Sequence, residues 1–111
     1  MPEAKPPVHL VLTTTATAEE AERLGRTLVE ERLVACATLV PRVQSIYHWE
    51  GKVESAAETL LLLKTGSDQL AALEVRLHQL HSYQTPEFLV LGVEACGQPY
   101  QEWLQASLRR L

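Results

Sequence analysis

Cysteine is scarce in this chain. Cys36 and Cys96 are the only two among 111 residues, too few for a disulfide framework. The opening residues, MPEAKPPVH, contain no apolar signal segment, so two free thiols in a reducing cytoplasm are expected. Clustered basic charge is missing as well. Ten Lys and Arg residues lie scattered among 14 acidic ones, for a net charge of −4, and no basic stripe exists to hold nucleic acid. Long hydrophobic runs are lacking: Leu60 to Leu63 falls far short of the roughly 20 apolar residues a membrane span needs. No nucleophile elbow, P-loop, HExxH or CxxC appears, and Thr13-Thr14-Thr15 lacks the glycines of a phosphate loop, so an enzyme is not expected.

What is present is a chain of 46% hydrophobic residues, enough for one core. Residues 1–7 read as a short N-terminal lead-in and 8–111 as a single domain. The conspicuous stretch runs from Ala35 to Thr65, two extended arms meeting at Glu50-Gly51-Lys52. A glycine at the tip between apolar and β-branched residues predicts a β-hairpin. Each arm is about fourteen residues long, against roughly five or six for an ordinary strand. Such a ribbon projects beyond the body of the molecule, and unpaired it is marginal and prone to edge pairing. The hairpin therefore predicts an oligomer in which copies cover one another's ribbons.

Around it the pattern is regular. Val8 to Thr14 predicts a buried strand. Thr17 and Glu20 form a capping-box pattern for a helix running to about Leu33, with Ala21, Leu24, Gly25 and Leu28 as its inner stripe. Pro41 marks the first ribbon arm as an edge strand or as bulged. Leu60 to Leu63, apolar on both faces, places the second arm centrally. Ser67 is the expected cap of a helix from Asp68 to Leu80, with the stripe Leu70, Leu73, Leu77 and Leu80. A loop follows to Pro86, then a strand from Phe88 to Ala95 and a terminal helix opened by Pro99. The order gives an α+β, ferredoxin-like βαββαβ fold with a long strand 2–strand 3 hairpin and a C-terminal helix, sheet order 4-1-3-2. Cys36 and Cys96 then lie at opposite edges, beyond the roughly 7 Å that an intrachain disulfide spans.

Five segments carry a more specific signal: LVEERLVACATLVP (28–41), SIYHWEGKVE (45–54), ETLLLLKT (58–65), HSYQTPE (81–87) and PYQEWL (99–104). In this order and spacing the chain resembles the CutA divalent-cation tolerance family over roughly residues 8 to 108. The resemblance implies a ferredoxin-like subunit in a homotrimer related in architecture to the PII signalling proteins, and a link to tolerance of copper and other divalent metals. Members with a proposed copper site use a cysteine near the end of strand 1 and a His-His pair before the Tyr-x-x-Pro-Glu loop. Here those positions hold Thr13, Leu80 and His81, so only His81 survives as a ligand. Ser82 stands where proline is usual, and Gly92 departs from the pattern in the same way.

The candidate metal residues are His81 and Cys36, for copper or another divalent cation. His81 has a second reading, a cap on the last carbonyls of the second helix. Cys36 has one too, as a small core residue. Tyr47, Trp49, Lys52, Glu58, Lys64, Tyr83, Glu87 and Tyr100 form a richer set. They either cement the ribbon to a neighbouring copy or line an intersubunit cleft for a small anion or metabolite, with Lys64 as its charge. Glu58 and Glu87 could also serve a divalent ion as hard ligands. A metal-responsive trimer, a PII-like binding module and a structural trimer supporting a protein partner are the three readings the sequence leaves open.

Overall fold

The computed structural model describes residues 7–110; the rest of the expected lead-in lies outside them. The elements are β1 (Val8–Thr15), α1 (Ala18–Glu30), β2 (Cys36–Trp49), β3 (Lys52–Gly66), a 3₁₀ turn (Ser67–Gln69), α2 (Leu70–Leu80), β4 (Leu89–Gly92) and α3 (Gln98–Ser107). The four strands form one antiparallel sheet in the order β2-β3-β1-β4, the expected order read from its other edge.

One sheet face is closed and the other is largely open. Val11, Leu61 and Leu63 point from the sheet into a core completed by Ala21, Leu24 and Leu28 of α1 and Leu73 and Leu77 of α2, all buried. On the other face α3 covers only one end, where Leu104 and Leu108 pack with Val8 and Ala35. Gly25 lets α1 approach the sheet: a Cβ added there would stand 3.1 Å from the Ala37 Cβ.

Four expectations are corrected. The first helix ends at Glu30 and not near Leu33, because Arg32 adopts a left-handed φ of 59°. Its N–H bonds Val29 O at 3.0 Å and the Leu33 N–H bonds Leu28 O at 3.1 Å, a Schellman closure made without the usual glycine. Ser67 does not cap the second helix: the chain enters it through a 3₁₀ turn whose preceding residue, Gly66, has no side chain to offer. Pro99 falls at the second position of α3, after Gln98. The fourth strand is only Leu89–Gly92, paired with residues 9–12 of β1, and one further bond from Val93 N–H to Val8 O at 3.0 Å ends the ladder.

The ribbon is as long as its sequence suggests, and its register shows where the body stops. β1 pairs β3 from Val8↔Gly66 to Thr15↔Thr59, and there β1 ends. At the same level β2 is bulged: Val40 faces Leu60 and Val43 faces Glu58, so Pro41 and Arg42 together oppose Thr59. Arg42 takes a φ of 60° in making the bulge. Beyond that line, among the described residues, β2 and β3 pair only with each other, through Gln44↔Ala57 to Trp49↔Lys52. Glu50 and Gly51, at φ 50° and 78°, turn the tip as a two-residue hairpin loop. The molecule measures 55 × 25 × 22 Å, with a radius of gyration of 15.0 Å. A compact chain of this length would have about 13 Å.

Replacing Gly25 tests the packing of α1. A larger residue gains up to about 1 kcal/mol of helix propensity but forces the helix off Ala37, and overpacking typically costs about 1–3 kcal/mol. Gly25→Val should therefore lower the urea unfolding free energy by about 2 kcal/mol; an unchanged or raised midpoint would contradict the close approach.

Candidate functional site

The residues with candidate roles gather in three places on one chain. The first lies where β1 ends and the free ribbon starts. The loop after α2 folds back here, and His81 is 8% exposed. Its Nε2 donates to the Thr14 carbonyl at 2.7 Å, and its Nδ1 accepts the Tyr83 N–H at 3.0 Å. His81 closes α2 through its backbone N–H, which bonds Leu77 O at 2.9 Å, but its imidazole does not cap the helix and instead ties the loop to the last residues of β1. Its ring lies 4.8 Å from that of Tyr83. The Tyr83 hydroxyl donates to Glu58 Oε2 at 2.7 Å. Burial and then this bond and the surrounding carboxylates push the phenol well above its ordinary range, and Tyr47 is close enough to contribute. Glu87 is raised too, first by burial and then by the charge on Glu58.

Sequence reasoning missed Glu20. Thr17 Oγ1 accepts the Glu20 N–H at 3.1 Å, one half of a capping box. The other half does not form in the usual way, because the Glu20 carboxylate turns to the loop. It accepts the Ser82 N–H and hydroxyl, each at 2.9 Å, and lies 3.7 Å from His81 Nδ1. A proline at position 82 has neither donor, so the departure at Ser82 is what makes both bonds possible. That departure, read beside Glu20, was the available signal.

The second place is the far end of the open sheet face, where Cys36 faces Lys64 in register. Lys64 Nζ lies 3.6 Å from Cys36 Sγ and hydrogen-bonds Thr38 Oγ1. Tyr100, near the start of α3, reaches the same sulfur. Its phenol is raised by burial, then by charge on Cys36 and on Cys96, and by a hydrogen bond with Cys36. Both cysteines are free thiols. They come from opposite ends of the sheet order, yet the Tyr100 phenol on α3 feels the charge of both. The third place is the ribbon tip, where Trp49 and Lys52 face each other, exposed. Glu58 and Lys64 are six residues apart on β3, about 20 Å, and Lys52 is as far again from Glu58. One chain therefore joins Tyr83 to Glu58 with Tyr47 and Glu87 close enough for their charges to act, sets Lys64 against Cys36, whose charge also acts on Tyr100, and leaves Trp49 and Lys52 apart.

The donors present do not fit a metal centre within one chain. Among the described residues no group of three or more His, Cys, Asp or Glu side chains could hold an ion. Thr13 is fully buried on the core face of β1 with an unpartnered hydroxyl. Leu80 offers no donor, both nitrogens of His81 are already bonded, and the Lys64 ammonium stands against the Cys36 sulfur. Among the described residues no helix is long and apolar enough to cross a membrane.

Residues 9–107 match the family described as CutA1 divalent ion tolerance protein. The "Divalent-cation tolerance protein CutA" of Pectobacterium atrosepticum is 44% identical over 100 residues, covering 90% of this chain and 91% of its own. Among solved structures, CutA1 from Oryza sativa superposes with a TM-score of 0.93 at 36% identity, covering 96% of this chain and 98% of that one. CutA from Xylella fastidiosa gives 0.90, also at 36% identity, over 93% and 99%.

Two outcomes follow from the first cluster. His81→Phe keeps the ring volume but strands the Tyr83 N–H and the Thr14 carbonyl, and should cost about 2–3 kcal/mol in urea unfolding; no loss would contradict the double anchorage. Glu87 has a native pKa above its unfolded value, so its contribution is fully present below about pH 4.3 and is lost as pH rises through the native value. Glu87→Gln should match wild type in thermal stability at pH 4 and exceed it at pH 7. Equal melting temperatures at both pH values would contradict this.

Proposed function

The chain belongs to the CutA1 divalent ion tolerance family, and we propose that it serves divalent-cation tolerance as a homotrimer, with no catalytic reaction of its own. The observation that carries this reading is the open half of the fold. Beyond Thr59 no third strand among the described residues pairs with the ribbon, and Ile46, Trp49 and Val53 are 70%, 58% and 67% exposed on it. The uncovered sheet face is apolar over Leu10 and Leu12 of β1, Leu60 and Leu62 of β3 and Leu89 and Leu91 of β4; Leu62, Leu12 and Leu89 stand in one row, and Leu10 faces Leu91 in the next. β2 and β4 are both unpaired edges, so the edge of one copy has a different edge to meet on the next. Head-to-tail contacts give a ring when the rotation closes, and the three-membered ring that the resemblance implies is the assembly we propose. Residues 8–111 act as one unit in this reading, and two free cysteines favour the cytoplasm.

In the assembly the three groups of residues come together between copies, and the cleft is lined by Tyr47, Trp49, Lys52, Glu58, Lys64, Tyr83, Glu87 and Tyr100. Copper or another divalent ion is bound weakly, because it needs donors from more than one copy. His81, released from one of its hydrogen bonds, is the donor we assign. A second reading, a PII-like module whose cleft takes a small anion, is favoured by one observation. Among the described residues no carboxylate pairs with Lys64.

Deleting residues 47–53 should shift the mass seen by light scattering from trimer toward monomer; a fully trimeric deletion would overturn the assembly reading. Calorimetric titration with Cu(II), and with Cu(I) under reductant, should give weak binding that His81→Ala abolishes. Flat titrations of the wild type would make metal tolerance indirect and favour the anion cleft, which a thermal shift lost on Lys64→Ala would reveal.

A further inference from the structure

The Cys36 end of the open sheet face has a chemistry of its own. Cys36 is half-buried at the first residue of β2, beyond the leucine patch and beside α3. Three side chains with polar heads meet its sulfur or each other: the Lys64 ammonium at 3.6 Å, the Thr38 hydroxyl at 3.8 Å and the Tyr100 phenol. Lys64 hydrogen-bonds Thr38 as well. Lys64 is itself half-buried, and among the described residues it has no ion-pair partner. A cation so placed opposes a metal ion at the adjacent sulfur and suits negative charge there. Cys96 is the internal comparison. It is equally half-buried, lies in the loop before α3, and has no hydrogen bond or ion pair of its own among the described residues.

We propose that Cys36 is a modification site whose thiol exchanges with low-molecular-weight disulfides, with Lys64 as counter-charge and the Thr38 hydroxyl beside the sulfur. The Cys36 thiol releases its proton to solvent, and the sulfur electron pair attacks one sulfur of R–S–S–R. A new S–S bond forms, the old one breaks, and RS⁻ departs with its electron pair and takes a proton from solvent. The small disulfide is the oxidant, so no further reagent is needed. The adduct would sit between the sheet and the first turn of α3. The site shares Lys64 with the proposed anion cleft and Cys36 with the candidate metal residues, but it needs neither ligand bound, since the Cys36–Lys64 pair lies within one chain.

The test uses the intact assembled protein with 4,4′-dithiodipyridine, following thiopyridone release and locating the adduct by peptide mass mapping. Cys36 should be modified before Cys96, and Cys36→Ser should remove the fast phase while Cys96→Ser leaves it. Lys64→Met should slow the Cys36 reaction about tenfold, whereas Lys64→Arg, which keeps the charge and guards against a folding defect, should stay within about twofold of wild type. Modification of Cys96 first, a Cys36 that does not react in the assembly, or equal rates in Lys64→Met and wild type would each overturn the proposal.

Discussion

The structure depends on where β1 stops. Thr15 is its last residue, facing Thr59, and at that level Pro41 and Arg42 bulge out of β2. On one side of this line β3 is a central strand between two partners, with Leu61 and Leu63 sealed against α1 and α2. On the other side the same strand continues through residues 52–58 with β2 as its only strand neighbour among the described residues, and Tyr83 of the loop after α2 reaches it only at Glu58. An isolated two-stranded ribbon gains too little burial to offset the entropy of ordering it. The ordered ribbon therefore implies surfaces supplied from elsewhere. The bare leucine face and the two unpaired edges are complementary evidence of the same deficit.

The functional groups obey that geometry. At the body's end of the line, His81, Glu20, Ser82 and Tyr83 form a closed network in which each loop group is bonded to β1, α1 or β3. This is a network for positioning, and it uses both nitrogens of the imidazole that the family resemblance would give to copper. At the opposite end of β3, Lys64 lacks a carboxylate and stands against Cys36. The two ends differ in kind: one accumulates carboxylates around a phenol, the other places an ammonium among thiols and hydroxyls. A cleft containing both requires more than one chain.

Much of the fold was legible because it rests on local periodicity. The leucine stripes of α1 and α2, the Glu50-Gly51 turn and the Pro41 irregularity are all written in short windows of sequence. The errors have one local and one distant cause: Arg32 closes α1 in a left-handed conformation that glycine usually takes, and the length of β4 follows its pairing with a strand some eighty residues earlier. The site was less legible. Glu20 meets Ser82 across 62 positions and His81 meets Thr14 across 67, and no periodicity encodes such pairings. Tyr100 was singled out for a cleft, but its meeting with Cys36 follows from the path of α3 and from nothing in the spacing.

The central claim is that the ribbon beyond Thr59 is held by other copies of the chain. Amide hydrogen exchange on the intact protein tests it directly. The account predicts that amides of residues 43–58 are protected nearly as strongly as those of 60–65, and that this protection falls selectively when the assembly is dissociated by dilution. Ribbon amides exchanging at the rates of an unfolded peptide in the undiluted protein would contradict it.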